Sequence, residues 1–283
     1  MILRDFLPSP SLREYVRKHQ VIRFEFGPLE VVPHKVYSPR PEICLVFNFR
    51  DPLKVSYSGK NLLKSHHRCT IIGQHTLVSN RYVGRDFWCL QIVLQQSALF
   101  RLTGIPANEL TNTFIDAEAI WGKEIRSAYE QMCNLGEDIG LVIGRAEQFI
   151  EAIARKNIKE RHSLDKVSSL ILYQNQAVSI DKLAYDCCLS NRQFQRKFIE
   201  RSGIGPKLFD MVVRFEKAFF MKNANPHLDW LSIALACGYY DYQHLAKDYR
   251  FFTNLTPNGF YALDSQAPER TFGVVEVRQD LMV

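Results

Sequence analysis

The 283-residue chain has no long apolar run. Stretches such as Ile43 to Phe47 fall far short of the ~20 residues that cross a bilayer, which excludes a membrane-spanning helix. The first residues, Met1 to Pro8, lack an apolar segment followed by a small-residue cleavage site, so a cytoplasmic protein without a membrane partner is expected. Seven cysteines (Cys44, Cys69, Cys89, Cys133, Cys187, Cys188 and Cys237) form no C-x-x-C pair and are odd in number. They are expected as reduced core residues rather than a redox or metal centre. His34, His66, His67 and His75 lack the His-x-His and carboxylate spacing of a metal-bearing barrel, and His66-His67-Arg68 reads as a polar loop. There is no phosphate-cradling Gly loop and no recognisable nucleophile with its base. The expectation is therefore of no enzyme, no catalytic residue, no metal and no cofactor.

What is present is an ordinary globular composition, 46% apolar and 23% charged, at a length suited to two domains. The net charge of +6 is localised. Between Arg155 and Leu263 there are 16 Lys and Arg against 10 Asp and Glu, leaving 20 of each elsewhere, so the whole excess lies in the C-terminal third. That asymmetry suggests a polyanion partner for this part, although a solvated basic face is the commoner meaning of charge alone.

Up to about Leu94 the pattern is that of strands. Ile22, Phe24 and Phe26 alternate with charged residues, Ile43, Leu45, Phe47 and Phe49 form a second run, and Trp88, Leu90, Ile92 and Leu94 a third. Turn signals fall at Gly27-Pro28, Ser38-Pro39, Asp51-Pro52 and Ser58-Gly59. A small sandwich or barrel with room for a ligand is expected. Helical periodicity then takes over, in a short helix at Leu99 to Thr103 ended by Gly104, and in longer ones from about Ala117 to Met132 and Ile139 to Ala154. The polar run from Arg155 to Leu164 reads as a linker. The fold class expected is α+β multidomain: residues 1–155 for effector binding and dimerisation, a linker at 156–163, an all-α unit at 164–263 and a tail at 264–283.

The all-α unit contains a degenerate repeat. Ile180, Leu183, Ala184 and Cys187-Cys188-Leu189 match Trp230, Ile233, Ala234 and Cys237-Gly238-Tyr239 at an offset of 50, while Phe194, Phe198, Gly203, Pro206 and Phe209 match Leu245, Tyr249, Asn254, Pro257 and Phe260 at 51. Each copy reads as a short helix, a tight turn and a second helix, capped by Ser190 in the first copy and Asp241 in the second. This is the layout of a helix-turn-helix, whose second helix enters the major groove. With Phe194 and Phe198 inside, the outer face of the first such helix carries Arg192, Gln195 and Arg196; the second carries Gln243, Ala246 and Lys247, with Tyr242 alongside. Arg and Lys can meet guanine O6 and N7, and Gln can meet adenine N6 and N7. A helix from Pro206 to about Met221 joins the copies as a rod of about 24 Å.

From about Leu164 to Tyr261 the sequence resembles the AraC/XylS family of bacterial transcription regulators. The carriers are Ser179-Ile-Asp-Lys-Leu-Ala, Leu189-Ser-Asn-Arg-Gln-Phe-Gln-Arg-Lys-Phe, Gly203-Ile-Gly-Pro, Arg214 with Ala218, Ile233-Ala-Leu-Ala-Cys-Gly-Tyr, Tyr249-Arg-Phe-Phe and Leu255-Thr-Pro. The resemblance implies an activator-type regulator that binds double-stranded promoter DNA and works with RNA polymerase. Its base contacts would come from Arg192, Gln195, Arg196, Tyr242, Gln243 and Lys247. Three positions depart from the pattern: Cys188 stands where copy two has Gly, Tyr240 occupies the usual cap position, and Asn254 replaces Gly. The N-terminal half is similar to a cupin-type sensor domain, through Pro41-Glu-Ile-Cys-Leu-Val-Phe-Asn-Phe and Leu99-Phe-Arg-Leu-Thr-Gly-Ile-Pro-Ala-Asn-Glu-Leu-Thr. The resemblance implies no particular ligand. A small barrel offers a cavity for a small-molecule effector, and the helices from about Ala117 to Ala154 offer an apolar stripe for pairing two chains, so a homodimer through the N-terminal half is expected, with ligand-binding residues unassigned. Two rivals are a constitutive DNA-binding regulator without effector and a DNA-repair methyltransferase. The latter requires a tetracysteine zinc site or a Pro-Cys-His-Arg motif, and neither occurs.

Overall fold

The computed structural model describes the chain except residues 29–30, 58–62, 157–161, 174–178 and 277–283. The Ser58-Gly59 turn and most of the expected linker therefore lie outside the described residues. Among the described residues the N-terminal half has ten strands: β1 (Ile2–Phe6), β2 (Val16–Glu25), β3 (Lys35–Tyr37), β4 (Ile43–Asn48), β5 (Lys54–Tyr57), β6 (Lys64–Ser65), β7 (Cys69–Ile72), β8 (Ser79–Tyr82), β9 (Asp86–Leu94) and β10 (Phe114–Asp116). They form two antiparallel sheets, one ordered β1-β2-β9-β4-β7-β10 and the other β3-β8-β5-β6.

The larger sheet is covered on both faces, which explains why β4 is buried throughout and apolar but for its last residue, Asn48. Leu45, Phe47, Trp88, Leu90 and Ile92 point to one core, and Cys44, Val46, Phe87, Cys89 and Val93, their neighbours by alternation, point to a second core shared with Val55 of the smaller sheet. The first core is closed by α1 (Ala98–Thr103), α2 (Glu118–Asn134) and α3 (Ile139–Lys156). The apolar stripes of α2 and α3, Trp121, Ile125, Met132, Ala146, Phe149 and Ile153 among them, are thus buried within the chain rather than presented to a second copy. Helix α1 ends at Gly104 in a left-handed conformation (φ 79°), as the sequence indicated. Strand β10, which adds an edge to the large sheet beyond α1, was not anticipated.

Two expectations are corrected in part. Cys133 and Cys188 are exposed, so only five of the seven cysteines are core residues. His66, His67 and Arg68 do form the loop between β6 and β7, with His67 and Arg68 exposed, but His66 is buried beside Phe114, with ring centroids 4.3 Å apart, because β10 brings an aromatic ring over it.

The C-terminal half is helical: α4 (Leu164–Tyr173), α5 (Ile180–Asp186), α6 (Asn191–Ser202), α7 (Pro206–Ala224), α8 (Trp230–Ala236), α9 (Tyr242–Thr253), α10 (Pro257–Asp264) and α11 (Pro268–Thr271). A third core holds Phe194, Phe198, Phe209, Phe215, Tyr249 and Phe260, and takes in Val36 from the N-terminal half. The expected class, β-rich first and all-α second, stands. None of the described helices is long and apolar enough to cross a membrane.

Candidate nucleic-acid interface

The two repeat copies adopt the same backbone. In the first, α5 and α6 are joined by a turn in which Leu189 N donates to Ala184 O at 3.0 Å; in the second, Tyr239 N donates to Ala234 O at 2.9 Å between α8 and α9. The turn requires a left-handed residue, supplied by Cys188 (φ 54°) in one copy and Gly238 (φ 80°) in the other. The second helices end alike, at Gly203 (φ 88°) and Asn254 (φ 58°), and Asn is the side-chain residue best suited to that conformation. Beneath these ends Ser202 and Thr253 hydroxyls donate to the carbonyls of Phe198 and Tyr249.

Both second helices start on a side-chain cap. Ser190 and Gln193 form a reciprocal capping box, and the Asp241 carboxylate accepts from His244 N at 2.8 Å. That backbone bond, with the His244 ring in support, holds the Asp241 carboxyl below its ordinary range. Gln193 and His244 are equivalent positions in the repeat, and both serve the cap. This leaves the outer face to other side chains. Asn191, which no sequence signal had singled out, donates to Asp181 at 2.6 Å and so fixes α6 against α5.

Arg192, Gln195 and Arg196 are exposed together on α6, opposite the fully buried Phe194 and Phe198. On α9, Gln243 and Lys247 are exposed and Tyr242 is half-buried, opposite Leu245 and Tyr249. The six residues therefore lie on two helix faces that are polar, outward and equivalent within the repeat. Helix α7, 19 residues and so about 28 Å long, joins the copies and runs three residues beyond the expected end at Met221. Its Arg214 pairs with Asp210 at 3.3 Å and lies 4.9 Å from the Tyr239 ring, tying the rod to the turn of the second copy.

The face of α6 also borders the N-terminal half. Arg192, Gln195, Arg196 and Lys197 share an open cleft of about 620 Å³ with Pro106, Asn108 and Glu109. At its end Thr111 Oγ1 donates to Gly203 O at 2.7 Å, and a Cβ on Gly203 would sit 3.1 Å from that of Gln74. Gly203 is thus required twice, by its φ and by this close approach.

The thiols at Cys69, Cys89 and Cys237 are pushed up to about 12 by burial, which makes them poor nucleophiles. Among the described residues no group of three His, Cys, Asp or Glu side chains could hold a metal ion.

Residues 4–116 match a family model described as a domain of unknown function, DUF6597, which ends where β10 ends. No curated protein matches the chain in sequence. Among solved structures the chain is similar to ToxT from Vibrio cholerae, at 11% identity over 87% of this chain and 97% of that one, with a TM-score of 0.46. It is also similar to an AraC-type DNA-binding transcriptional regulator from Chromobacterium violaceum, at 28% identity over 37% of this chain and 93% of that one, TM-score 0.33. A DNA-binding transcriptional dual regulator from Escherichia coli K-12 is similar at 14% identity over 39% and 98%, TM-score 0.32. The solved structures thus include the family that the sequence motifs resemble.

Proposed function

We propose that the chain is a sequence-specific DNA-binding transcriptional regulator whose two helix-turn-helix units read successive major grooves. The observation that carries this reading is the duplication itself: two capped helices of the same geometry, each with an exposed polar and basic face, fixed at the two ends of one continuous rod. A single solvated basic face has no need of such a repeat. Arg192, Gln195 and Arg196 read one groove and Tyr242, Gln243 and Lys247 the next, in a complex that places them about 34 Å apart along one side of the duplex. The localised positive charge supplies the phosphate attraction.

The N-terminal half regulates in this reading, through a small molecule bound to its sheets. Since α2 and α3 pack against the large sheet, a homodimer has to pair through a different surface, and sedimentation of the full chain distinguishes one copy from two. Selection of bound DNA from a random library tests the function: a site spanning two groove segments is expected, and recovery of sequences without a shared motif overturns the reading.

A further inference from the structure

The tail beyond α10, for which the sequence offered no role, folds back over the sandwich. Phe272 lies 6.0 Å from the Phe24 ring and 5.1 Å from that of Phe26, at one edge of the inter-sheet core. Four residues on, the buried Glu276 carboxylate accepts two bonds from the Arg40 guanidinium, at 2.5 and 2.7 Å, and a third from Lys35 Nζ at 2.6 Å. Glu269, also buried, pairs with the same lysine. Burial opposes charge on Glu276, yet Arg40 and Lys35 hold its carboxyl well below the ordinary range.

Beneath this strap an apolar cavity is floored by Ile22, Phe24, Val46 and Phe87, and roofed by Pro268, Glu269 and Glu276. Its volume is about 60 Å³. Sites for small organic ligands are typically about 300–1,000 Å³, so nothing of that size enters while the strap is in place. With the strap lifted, Lys35 and Arg40 lose the carboxylates bonded to them, next to an uncovered aromatic floor and a further cation, Arg81, while Asp264 and Glu42 act on them only from a distance. Buried cations without a bonded counter-charge are unfavourable. What the opened site lacks is therefore a carboxylate joined to an apolar body.

We propose that Lys35, Arg40 and the aromatic floor of the sandwich form a binding site for small organic acids with an aromatic or alkyl body, and that residues 268–276 are an internal occupant which such an acid displaces. Displacement reaches the helical half directly. The strap is bonded to α7 and α10, through Asn223 Nδ2 to Glu276 O at 3.2 Å and through Arg270 to Asn223 at 2.9 Å and Asp264 at 2.6 Å. Arg40 itself lies 5.1 Å from the Phe220 ring of α7. The consequence for DNA rests on the function proposed above; the site does not.

The test uses the full chain without DNA, and 4-phenylbutyrate as the probe. Calorimetric titration is expected to show binding that tightens at least about tenfold in Phe272→Ala/Glu276→Gln, because the competing strap is weakened. Lys35→Met in that background is expected to lose the gain, and the neutral 4-phenylbutanol to bind at least about tenfold more weakly than the acid. In the unmutated chain, hydrogen exchange of residues 268–276 is expected to accelerate on adding the acid, which needs no variant to fold. Equal binding of acid and alcohol, no tightening in a folded double variant, or strap exchange unchanged at saturating acid overturns the proposal. Failure to find a DNA site leaves all of these readouts standing.

Discussion

The turn residue of the first unit shows how a single side chain can sit against its backbone. Cys188 occupies a left-handed conformation that its repeat partner, Gly238, adopts without steric cost. An L-residue there costs roughly 1–2 kcal/mol, partly offset in glycine by the greater freedom of its unfolded chain. Cys188→Gly is thus expected to stabilise the chain by about 0.5–1 kcal/mol in urea unfolding, and a loss of stability would show that the thiol makes a compensating contact. The reading residues lead to a different kind of prediction. Arg196→Ala is expected to weaken binding to the selected site by roughly 1–3 kcal/mol and binding to random DNA much less, with Arg192→Ala and Lys247→Ala alike. Equal losses on both DNAs, measured by titration at one salt concentration, would assign these side chains to phosphates instead.

At the scale of elements, the helix starts and turns of the second half were legible because their causes are local. Ser190 with Gln193, Asp241 ahead of Tyr242, and the i, i+4 pair Phe194 and Phe198 each lie within a few residues of what they determine. The repeat made them legible twice. Ser190→Ala removes one half of the capping box and is expected to cost about 1 kcal/mol, with Asn or Asp in its place restoring most of it. Equal stability of the three variants in denaturant melts would mean that tertiary packing alone holds α6. Long-range events left no such trace. Strand β10 pairs with β7 across more than forty residues, and the burial of His66 depends on that pairing. The tail was unreadable for the same reason: Phe272 and Glu276 meet Phe26 and Arg40 from the other end of the chain. Of the candidate interface, the five exposed residues and the half-buried Tyr242 could be picked out from periodicity, whereas the caps' use of His244 and the Asn191–Asp181 bond left no mark in the sequence pattern.

For the whole molecule, the two most strongly depressed histidines among the described residues, His66 and His75, both lie in the N-terminal half. Burial first, and Arg81 second, push His75 down to about 3; burial and the neighbouring Arg81, His75 and His67 do the same to His66. Both rings are neutral in the folded chain and take up a proton only on unfolding, so their contribution is complete above the unfolded value of about 6.5 and is lost as pH falls below it. At pH 5 each histidine removes about 2 kcal/mol. Thermal melts are expected to show the N-terminal half failing first between pH 6.5 and 5, with His75→Phe less acid-sensitive than the unmutated chain. Identical pH profiles for the two proteins would place the acid response elsewhere.

The halves also meet beside the α6 face proposed to read DNA. Arg192, Arg196 and Lys197 share their cleft with Glu109, so of the two helix faces proposed to meet DNA the α6 face has a carboxylate from the other half beside it. The cleft is open to solvent, and at physiological salt charges are screened over about 8 Å, which makes the opposition modest and dependent on ionic strength. The Thr111 Oγ1 bond to Gly203 O is one of several ties between the halves, with Val36 in the helical core and Arg40 over the Phe220 ring, and α6 stays exposed beside it. Glu109→Gln in the full chain is therefore expected to tighten binding to random duplex about two- to threefold at low salt, with the difference shrinking as salt rises. The gain should be smaller on DNA already bound through the selected site, where base contacts as well as phosphates fix the helix. An unchanged affinity at low salt would show that Glu109 does not oppose DNA at this face.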